Sequence, residues 1–452
     1  MWGHFLCEMP RGRLQLLLTA TAAWCCRAQF SCVFGPGTSP FLADELPQLL
    51  QGRALAAGTS VLFNITVSSS SAAAAADDDP FAADDSFRID VHLGSGGGGS
   101  SSSSSEVRLD VTSGTALGAS HGALAALQSD ALGFAFLHPM RVFSPPPPQR
   151  PVTAAALVRA LNGTRRAPRY GTWRGSHVHC EHPAELCNLL NGFDAAGGHA
   201  DAAAWAALLP EWRAYLRWLV AHGQNAVEWS LLSAKAYGAY SESAERRRRL
   251  RVLAAEARRY GLRVGVDATF AQTQEHGFRL WRTAHAAEED DWAEIKARLD
   301  WLVAPLPAAG QQGAGADGVD GLDGADGVDG VDDAPAALAA AAATGFGDSN
   351  DGGFDYVQSE LGQSELQEGA PNTTRLVALL NRTAAYLAAG PGGGAPRAFM
   401  VENHISGGQT VDLPDPLHPG RRLNFNWLTY YLDARIVSRP HTVQVRPLLA
   451  TD

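Results

Sequence analysis

The stretch "SAERRRRLRVLAAEARRYGLRVGVDATF", residues 243–270, joins a helix to a strand and decides the fold class. Ser243 is a typical helix N-cap, and Gly261 is the kind of residue at which helices end. The apolar run from there to Phe270 predicts a buried strand. The arginines of the helix are expected to form a basic outer face. Repeats of such a helix–strand unit build a parallel sheet.

The same alternation extends in both directions along the chain. The other predicted elements are strands at 172–183, 225–233, 354–366, 397–406 and 435–445, and helices at 205–223, 291–303 and 373–390. The fold class predicted is α/β: a parallel (β/α)-barrel preceded by a small α/β domain, since a barrel typically needs about 250 residues. Six strands leave two of the usual eight unaccounted for. The barrel is incomplete at its C-terminus, the chain is truncated, or the sheet is open.

The residues before the predicted barrel form three segments. Residues 1–28 combine early arginines, an apolar run and a small-residue cleavage site, which is typical of a secretory signal peptide; an uncleaved anchor and a transit peptide stay as alternatives. Residues 29–144 contain three strands of alternating polarity and a helix, which predicts the small α/β domain. Residues 145–168 are Pro-rich and predict a linker, and 169–452 would form the barrel-like catalytic domain.

Charge and composition restrict the partners and the location of the protein. The net charge is −11, but seven of the aspartates lie in residues 317–333, within a low-complexity stretch (308–345) that predicts a disordered insertion. An acidic chain is not expected to bind nucleic acid. No segment of the mature chain has the length and polarity of a transmembrane span. Four Asn-x-Ser/Thr sequons, at Asn64, Asn162, Asn372 and Asn381, are compatible with a glycoprotein that is secreted, lumenal or vacuolar.

Polar side chains cluster at the ends of the predicted strands. Because barrel active sites form at the C-terminal ends of the strands, these side chains are expected to converge. The candidates are Trp173, His177, His179, Asp267, Tyr356, Glu360, Glu365, Glu402, His404 and His441. Carboxylates in such a place suit glycoside hydrolysis, which needs an acid for the leaving oxygen and a group that stabilises the cationic sugar.

Each candidate has a role in that hypothesis and a simpler alternative. Glu360 at a strand end is the predicted general acid, with Glu365 or Glu402 as nucleophile or base. The substrate-binding candidates are His177, His179, Trp173, Asp267, Tyr356, His404 and His441. The alternatives are solvated loop carboxylates and aromatic rings that simply pack in the core.

The segment "LGASHGALAALQSDALGFAFLHPMRV", residues 117–142, resembles the end of the small domain that precedes the barrel in family 20 β-hexosaminidases and family 67 α-glucuronidases. In organisation the resemblance covers residues 40–145. It implies a carbohydrate-active enzyme without a cofactor, whose acid at the end of the fourth barrel strand is Glu360. Family 20 enzymes have an Asp directly before this Glu. Here Ser359 stands instead, so cleavage assisted by a substrate acetamido group is in doubt.

Two other function classes remain open. His177, His179, His404 and His441 are similar to the zinc ligands of amidohydrolase barrels, which predicts, as an alternative, a zinc-dependent hydrolase. The strand-eight aspartate of those enzymes has no counterpart in the predicted strands. The other alternative is a carbohydrate-binding protein that has lost catalysis, because a fold alone does not establish activity.

Overall fold

The computed structural model describes residues 30–51, 55–56, 59–68, 85–94, 105–138, 141–143, 151–167, 173–178, 184–233, 235–270, 277–282, 284–305, 353–361, 372–404 and 410–441. These residues form an α/β protein with two compact units. Unit 1 comprises the described residues of Met1–Arg174, Ala214–Asn225 and Arg259–Leu262. Unit 2 comprises those of Gly175–Arg213, Ala226–Arg258 and Arg263–Asp452. The predicted insertion, 308–345, and the predicted signal peptide, 1–28, lie outside the described residues.

Unit 1 contains a mixed five-stranded sheet. Its strands are β1 (Phe30–Phe34), β2 (Thr59–Val67), β3 (Phe87–Gly94), β4 (Ser105–Ser113) and β7 (Thr164–Arg166), in the order β1-β2-β4-β3-β7. The pairs β1–β2 and β2–β4 are parallel, whereas β3 pairs antiparallel with both β4 and β7. A separate antiparallel pair consists of β5 (Ala135–His138) and β6 (Arg141–Phe143). The three strands predicted in residues 29–144 agree with β2, β3 and β4.

Helix α2 (Ala116–Leu127) packs very closely on this sheet. Thr115 caps the helix by accepting a hydrogen bond from the Gly118 N–H at 2.9 Å. A Cβ atom at Gly118 would lie 2.2 Å from the Ser113 hydroxyl oxygen, and one at Gly122 would lie 2.6 Å from a methyl group of Val111. The two glycines therefore allow the helix backbone to approach the strands as no other residue could.

Two further helices belong to unit 1. These are α1 (Pro40–Leu50) and α3 (Ala154–Leu161). Thr153 caps α3, and α3 leads into strand β7. The described part of the segment predicted as a linker, 145–168, thus contains a helix and a strand of the sheet. Its proline run lies outside the described residues.

Unit 2 contains a six-stranded sheet that is parallel throughout. The strands are β8 (Gly175–Val178), β9 (Ala226–Ser230), β10 (Arg263–Asp267), β11 (Tyr356–Leu361), β12 (Ala398–His404) and β15 (Ile436–His441), and neighbours in the chain are neighbours in the sheet. All five pairings are in parallel register. Among the described residues, β8 and β15 are the two ends of this sheet. The predicted parallel order of the strands is confirmed.

Helices connect most of these strands. Along the chain they are α4 (Ala184–Leu190), α5 (Ala202–Ala206), α6 (Leu209–Ala221), α7 (Ala244–Arg259), α8 (Glu288–Val303) and α9 (Thr373–Ala388). One face of the sheet is apolar, with Val227, Trp229 and Val264 fully buried. Trp229 packs edge-on against Trp212 and Phe354. Within the described part of the chain, no helix combines the length and the apolar character needed to cross a membrane.

The prediction that α7 has a basic outer face is wrong for three of its arginines. Arg246, Arg249 and Arg251 are buried. The Arg246 guanidinium donates at 2.7–2.9 Å to the main-chain oxygens of Asn191, Ser241 and Leu232 and to the Asn191 side chain. The Arg249 guanidinium donates to the main-chain oxygens of Gly192 and His199 at 2.7 and 2.9 Å and to the Glu245 carboxylate. Arg246 and Arg249 with these acceptors are called the arginine clamp below.

The connection between β12 and β15 contains an antiparallel ribbon, β13 (Thr410–Pro414) and β14 (Arg422–Asn424), and a 3-10 helix (Phe425–Tyr431). Asn381 of α9 holds the end of this connection. Its side-chain amide donates to the main-chain oxygen of Tyr431 at 3.1 Å, and its side-chain oxygen accepts from the Asp433 N–H at 2.7 Å.

Candidate active site

The parallel register brings polar residues of all six strands onto one face of the unit 2 sheet. Side chains two residues apart on a strand share a face, and Cα partners on parallel strands do so too. The Cα partners with polar side chains are His177–Glu228, Ser230–Asp267, Asp267–Gln358, Glu360–Glu402 and Glu402–Arg439. His177, Ser230, Asp267, Glu360, Glu402 and Arg439 lie in the C-terminal halves of their strands, whereas Glu228 is the middle residue of β9 and Gln358 lies in the first half of β11.

His177 links the first two strands. Its ring Nδ1 lies 3.0 Å from the Glu228 carboxylate, and its Nε2 lies 3.2 Å from the Ser230 hydroxyl. The Ser230 hydroxyl donates to Asp267 Oδ2 at 3.3 Å. Glu228, Ser230 and Asp267 are buried, with 1%, 8% and 6% of their surface exposed. A continuous chain of hydrogen bonds thus crosses β8, β9 and β10.

Arg439 links the opposite side of the same face. Its guanidinium donates to the Glu228 carboxylate at 2.5 Å and to the Gln358 side-chain oxygen at 2.9 Å, and it lies 3.6 Å from the Glu402 carboxylate. The Gln358 amide donates to Glu402 at 2.9 Å. The connected side chains are called the site network below: His177, Glu228, Ser230, Asp267, Gln358, Glu402 and Arg439.

Asp267 is the carboxyl group of the site network with a clearly raised pKa. The pKa of Asp267 is raised to about 7, mainly by burial and also by the nearby carboxylates of Glu228 and Glu402, against the opposing effects of His177 and Ser230. Its Oδ1 atom is buried without a hydrogen-bond partner among the described residues. A carboxyl group with such a pKa can hold or release a proton near neutral pH, as acid–base catalysis requires.

Glu228 is affected in the opposite direction. Burial alone would raise its pKa, but the hydrogen bond from His177 and the charges of His177 and Arg439 lower it below the usual value. Burial alone would lower the pKa of His177, but the hydrogen bond to Glu228 and the nearby carboxylates raise it. The site network therefore contains one carboxyl group that favours the acid form and another that favours the anion, which is the division of roles found in acid–base sites.

The ring of Tyr356 packs beneath this network. Tyr356 is fully buried, and burial together with Glu228 raises its pKa well above the usual value. A Cβ atom at Gly265 would lie 1.9 Å from Cζ of the tyrosine ring. The ring therefore lies across a glycine that leaves room for it. This environment is that of a core side chain, and the predicted role of Tyr356 in sugar stacking stays a prediction.

The remaining predicted residues are described to different degrees. Glu360 is half-buried, and strand alternation puts it on the same face as Gln358. Trp173 is half-buried and belongs to unit 1. Glu365 and His179 lie outside the described residues, and for His404 and His441 only the backbone is described, as Cα partners of each other.

The predicted zinc alternative stays a prediction. Only His177 of the four histidine side chains is described, and its two ring nitrogens lie within hydrogen-bond distance of Glu228 and Ser230. In the described part of the chain, no group of three or more His, Cys, Asp and Glu side chains could hold a metal ion.

Four residues of the site network were missed in the sequence: Glu228, Ser230, Gln358 and Arg439. Glu228 and Ser230 are polar residues at alternate positions of the otherwise apolar strand "AVEWS", which is a signal for a second functional face. Gln358 lies between the predicted Tyr356 and Glu360 on the same face. Arg439 gives no comparable local signal, since its contacts depend on the register of β12 and β15.

A cavity of about 800 Å³ lies in unit 1. Its lining includes the ion pair of Arg174 with Asp85, at 2.7 Å, and the buried His121. None of the predicted site residues lines it. Size alone therefore does not mark this cavity as the site of the predicted chemistry.

No family model matches this chain, and no curated protein matches it. Among solved structures, the chain is similar to CpGH84B, with 8% sequence identity and a TM-score of 0.43, covering 90% of this chain and 52% of that one. It is also similar to the chitobiase FjGH20 of Flavobacterium johnsoniae, with 11% identity, a TM-score of 0.41, and coverage of 84% and 52%. The chain spans about half the length of these two proteins.

A third similar structure is the GH20 β-N-acetylhexosaminidase from Streptomyces coelicolor A3(2). The identity is 10%, the TM-score is 0.40, and the similarity covers 91% of this chain and 70% of that one. The chain is thus distantly similar to solved structures of GH20 and GH84 proteins.

Proposed function

We propose that the protein is a glycoside hydrolase whose active site is the polar face of the unit 2 sheet. In this proposal the sheet is part of a (β/α)-barrel, and the substrate is a carbohydrate that binds at the C-terminal ends of the strands. We also propose that the protein passes through the secretory pathway, does not bind nucleic acid and needs no cofactor.

The observation that carries the proposal is the in-register pair of Glu360 and Glu402. Two carboxylates on one face of neighbouring parallel strands have Cα atoms about 4.8 Å apart. Side chains that leave two such positions side by side can bring their carboxyl groups to the separation of about 5 Å that retaining glycosidases use. The half-buried Glu360 is the proposed general acid, and Glu402, which accepts from Gln358 and lies close to Arg439, is the proposed nucleophile. Glu365 remains a candidate for the second carboxylate.

The N-acetyl-assisted mechanism of family 20 is not part of the proposal. Ser359 is fully buried on the opposite face of β11 from Gln358, and a serine carries no charge. The proposed reaction therefore uses two glutamates from neighbouring strands rather than an adjacent Asp–Glu pair.

The test is hydrolysis of a panel of aryl glycosides by the wild type and by Glu360→Gln. Loss of the general acid is expected to reduce kcat/KM on nitrophenyl glycosides by about 10²–10⁴-fold. The reduction should be much smaller with a dinitrophenyl leaving group, because that group departs without being protonated. The matched control is Glu288→Gln, an exposed residue in the first turn of α8, which should leave the activity unchanged.

Equal reductions for good and poor leaving groups would contradict the role of Glu360 as the acid. Oligosaccharide binding without hydrolysis of any glycoside in the panel would support the non-catalytic carbohydrate-binding alternative instead. Stoichiometric zinc in the purified protein, with activity lost on chelation, would support the metal-dependent alternative.

A further inference from the structure

The hydrogen bonds that join Glu228, His177, Ser230 and Asp267 can run in only one consistent direction when both carboxyl groups are ionised. Glu228 then only accepts, so His177 Nδ1 carries a hydrogen. The single Ser230 proton is donated to Asp267 Oδ2, so the Ser230 oxygen accepts from His177 Nε2. Both ring nitrogens of His177 therefore carry hydrogens, and the ring is an imidazolium that points its two N–H groups at Glu228 and Ser230.

The charges around this chain favour one proton shared between His177 and Asp267. The carboxyl groups of Glu228, Asp267 and Glu402 face His177, and the Arg439 guanidinium contacts Glu228 and lies close to Glu402. Within the site network, three carboxyl groups thus face two cations. Asp267 Oδ1 is buried without a partner among the described residues, so an anion at Asp267 is poorly solvated. Asp267 and His177 are accordingly alternative places for the same proton.

We propose that His177, Ser230 and Asp267 form a proton relay, in which Asp267 is a positioning residue that acts on the site through His177. In one step the Nε2 proton of His177 passes to the Ser230 oxygen, while the Ser230 proton passes to Asp267 Oδ2. An ion pair becomes two neutral groups, and no proton or electron is gained or lost. The reverse step restores the carboxylate of Asp267 and the charge of His177.

The relay deepens the proposed function and rests on it for its catalytic consequence. A cationic sugar is stabilised by a nearby anion. When the proton moves to Asp267, His177 becomes neutral and the Glu228 carboxylate beside it keeps more of its negative charge for a developing cation, without exchange of a proton with solvent. His177 then serves as an internal proton holder, because both of its ring nitrogens are engaged within the network.

The test is an NMR titration of the full chain labelled at its histidine rings. The His177→Gln variant identifies the His177 signals by their loss. In the wild type, His177 should titrate above the usual histidine range with a second, coupled step. Asp267→Asn, which removes the charge but keeps the shape, should lower the pKa of His177 and abolish the coupled step. Asp415→Asn, at the exposed pair with His418, is the control and should leave His177 unchanged.

Two serine variants make the test specific for the relay. Ser230→Ala removes the hydroxyl and should weaken the coupling of His177 to Asp267, whereas Ser230→Thr keeps a hydroxyl and should restore it. An identical His177 titration in the wild type, Asp267→Asn and Ser230→Ala would overturn the relay. The titration needs no substrate, so the relay and the proposed function are tested separately. If His177 and Asp267 titrate together in a protein that hydrolyses no glycoside, the relay stands and the proposed function is rejected. If the protein hydrolyses glycosides but the two groups titrate independently, the proposed function stands and the relay is rejected.

Discussion

The arginine clamp and the site network are two buried polar clusters of unit 2 that use arginine in opposite ways. In the clamp, Arg246 and Arg249 donate mainly to main-chain oxygens, which carry no net charge and do not titrate. In the site network, Arg439 faces the carboxylates of Glu228 and Glu402. The main-chain contacts of the clamp are the same at every pH at which the protein is folded, and among the clamp acceptors only the Glu245 carboxylate titrates. The site network changes whenever a carboxyl group gains or loses a proton.

The difference is the one expected between a structural role and the proposed chemical role. The hydrogen-bond donors of the clamp described above meet acceptors, and these bonds tie Leu232, Ser241 and His199 to α7. In the site network, carboxyl groups outnumber cations, and Asp267 has a raised pKa as a result of burial and its neighbours. Imbalance of this kind is costly in a core and useful at an active site.

The largest effect is expected from Arg246→Met in the clamp. The change leaves the buried main-chain oxygens of Asn191, Ser241 and Leu232 without this donor. A loss of about 3–5 kcal/mol in the free energy of unfolding is expected, with little dependence on pH. Urea denaturation at pH 5 and pH 8 measures it.

The matched control for that prediction is Arg248→Met on the same helix. Arg248 is partly exposed and pairs with Glu245, so its loss should cost less than about 1 kcal/mol. Equal losses for the two variants would mean that the clamp has no special structural role.

A smaller loss is expected from Gly265→Ala beneath the site network. The new methyl group would overlap the ring of Tyr356, so the ring or the strand must move. Overpacking of this kind costs about 1–3 kcal/mol. The double variant Gly265→Ala/Tyr356→Ala should lose much less than the sum of the two single variants, which a double-mutant cycle by thermal unfolding would measure. If the losses of the two single variants add up to that of the double variant, the methyl group and the tyrosine ring do not clash in the folded protein.

The smallest effect on stability is expected from Arg439→Met, and it should depend on pH. Arg439 helps to hold the folded-state pKa of Glu228 below its unfolded value. The stabilisation of the folded state by this lowered pKa is fully present above the unfolded pKa of 4.5. It is lost as the pH falls through the lower pKa of Glu228 in the folded state. The partly exposed guanidinium is screened by solvent, so a loss on the order of 1 kcal/mol is expected at pH 7, shrinking towards pH 3.

Urea denaturation across that pH range distinguishes Arg439 from the clamp. Arg382→Met, at an exposed ion pair with Glu289, is the control and should change little at either end of the range. A loss for Arg439→Met that is constant with pH would place Arg439 with the clamp, as a structural residue.

The regular elements could be predicted from the sequence because their signals are local. Alternating apolar residues predicted β2, β3 and β4, and the Ser243–Gly261 pattern predicted α7 with its serine cap. The burial of three α7 arginines could not be predicted in the same way. Their acceptors include the main-chain oxygens of Asn191, Gly192 and His199, which are 50 or more residues away along the chain, and a helix surface rich in arginine is usually solvated. Only the tertiary structure reveals that carbonyl oxygens surround them.

The candidate site could be predicted in part. The rule that active sites lie at the C-terminal ends of parallel strands led to His177, Asp267 and Glu402, which the structure brings together in one network. Gln358 and Arg439 depend on which residues face each other across strands. That register is set by the packing of the whole sheet, so no single segment of sequence contains it.

The hydrogen bonds of Asn381 have a consequence for oligosaccharide attachment. Its amide nitrogen, where a glycan would be joined, donates to the Tyr431 carbonyl, and its oxygen holds the Asp433 N–H. A sugar at this nitrogen would replace one of its two hydrogens close to the chain that precedes β15. Asn372, by contrast, uses its side-chain oxygen to cap α9. A glycan at Asn381 would therefore compete with contacts that hold the connection to β15, whereas one at Asn372 would leave the oxygen that caps α9 in place.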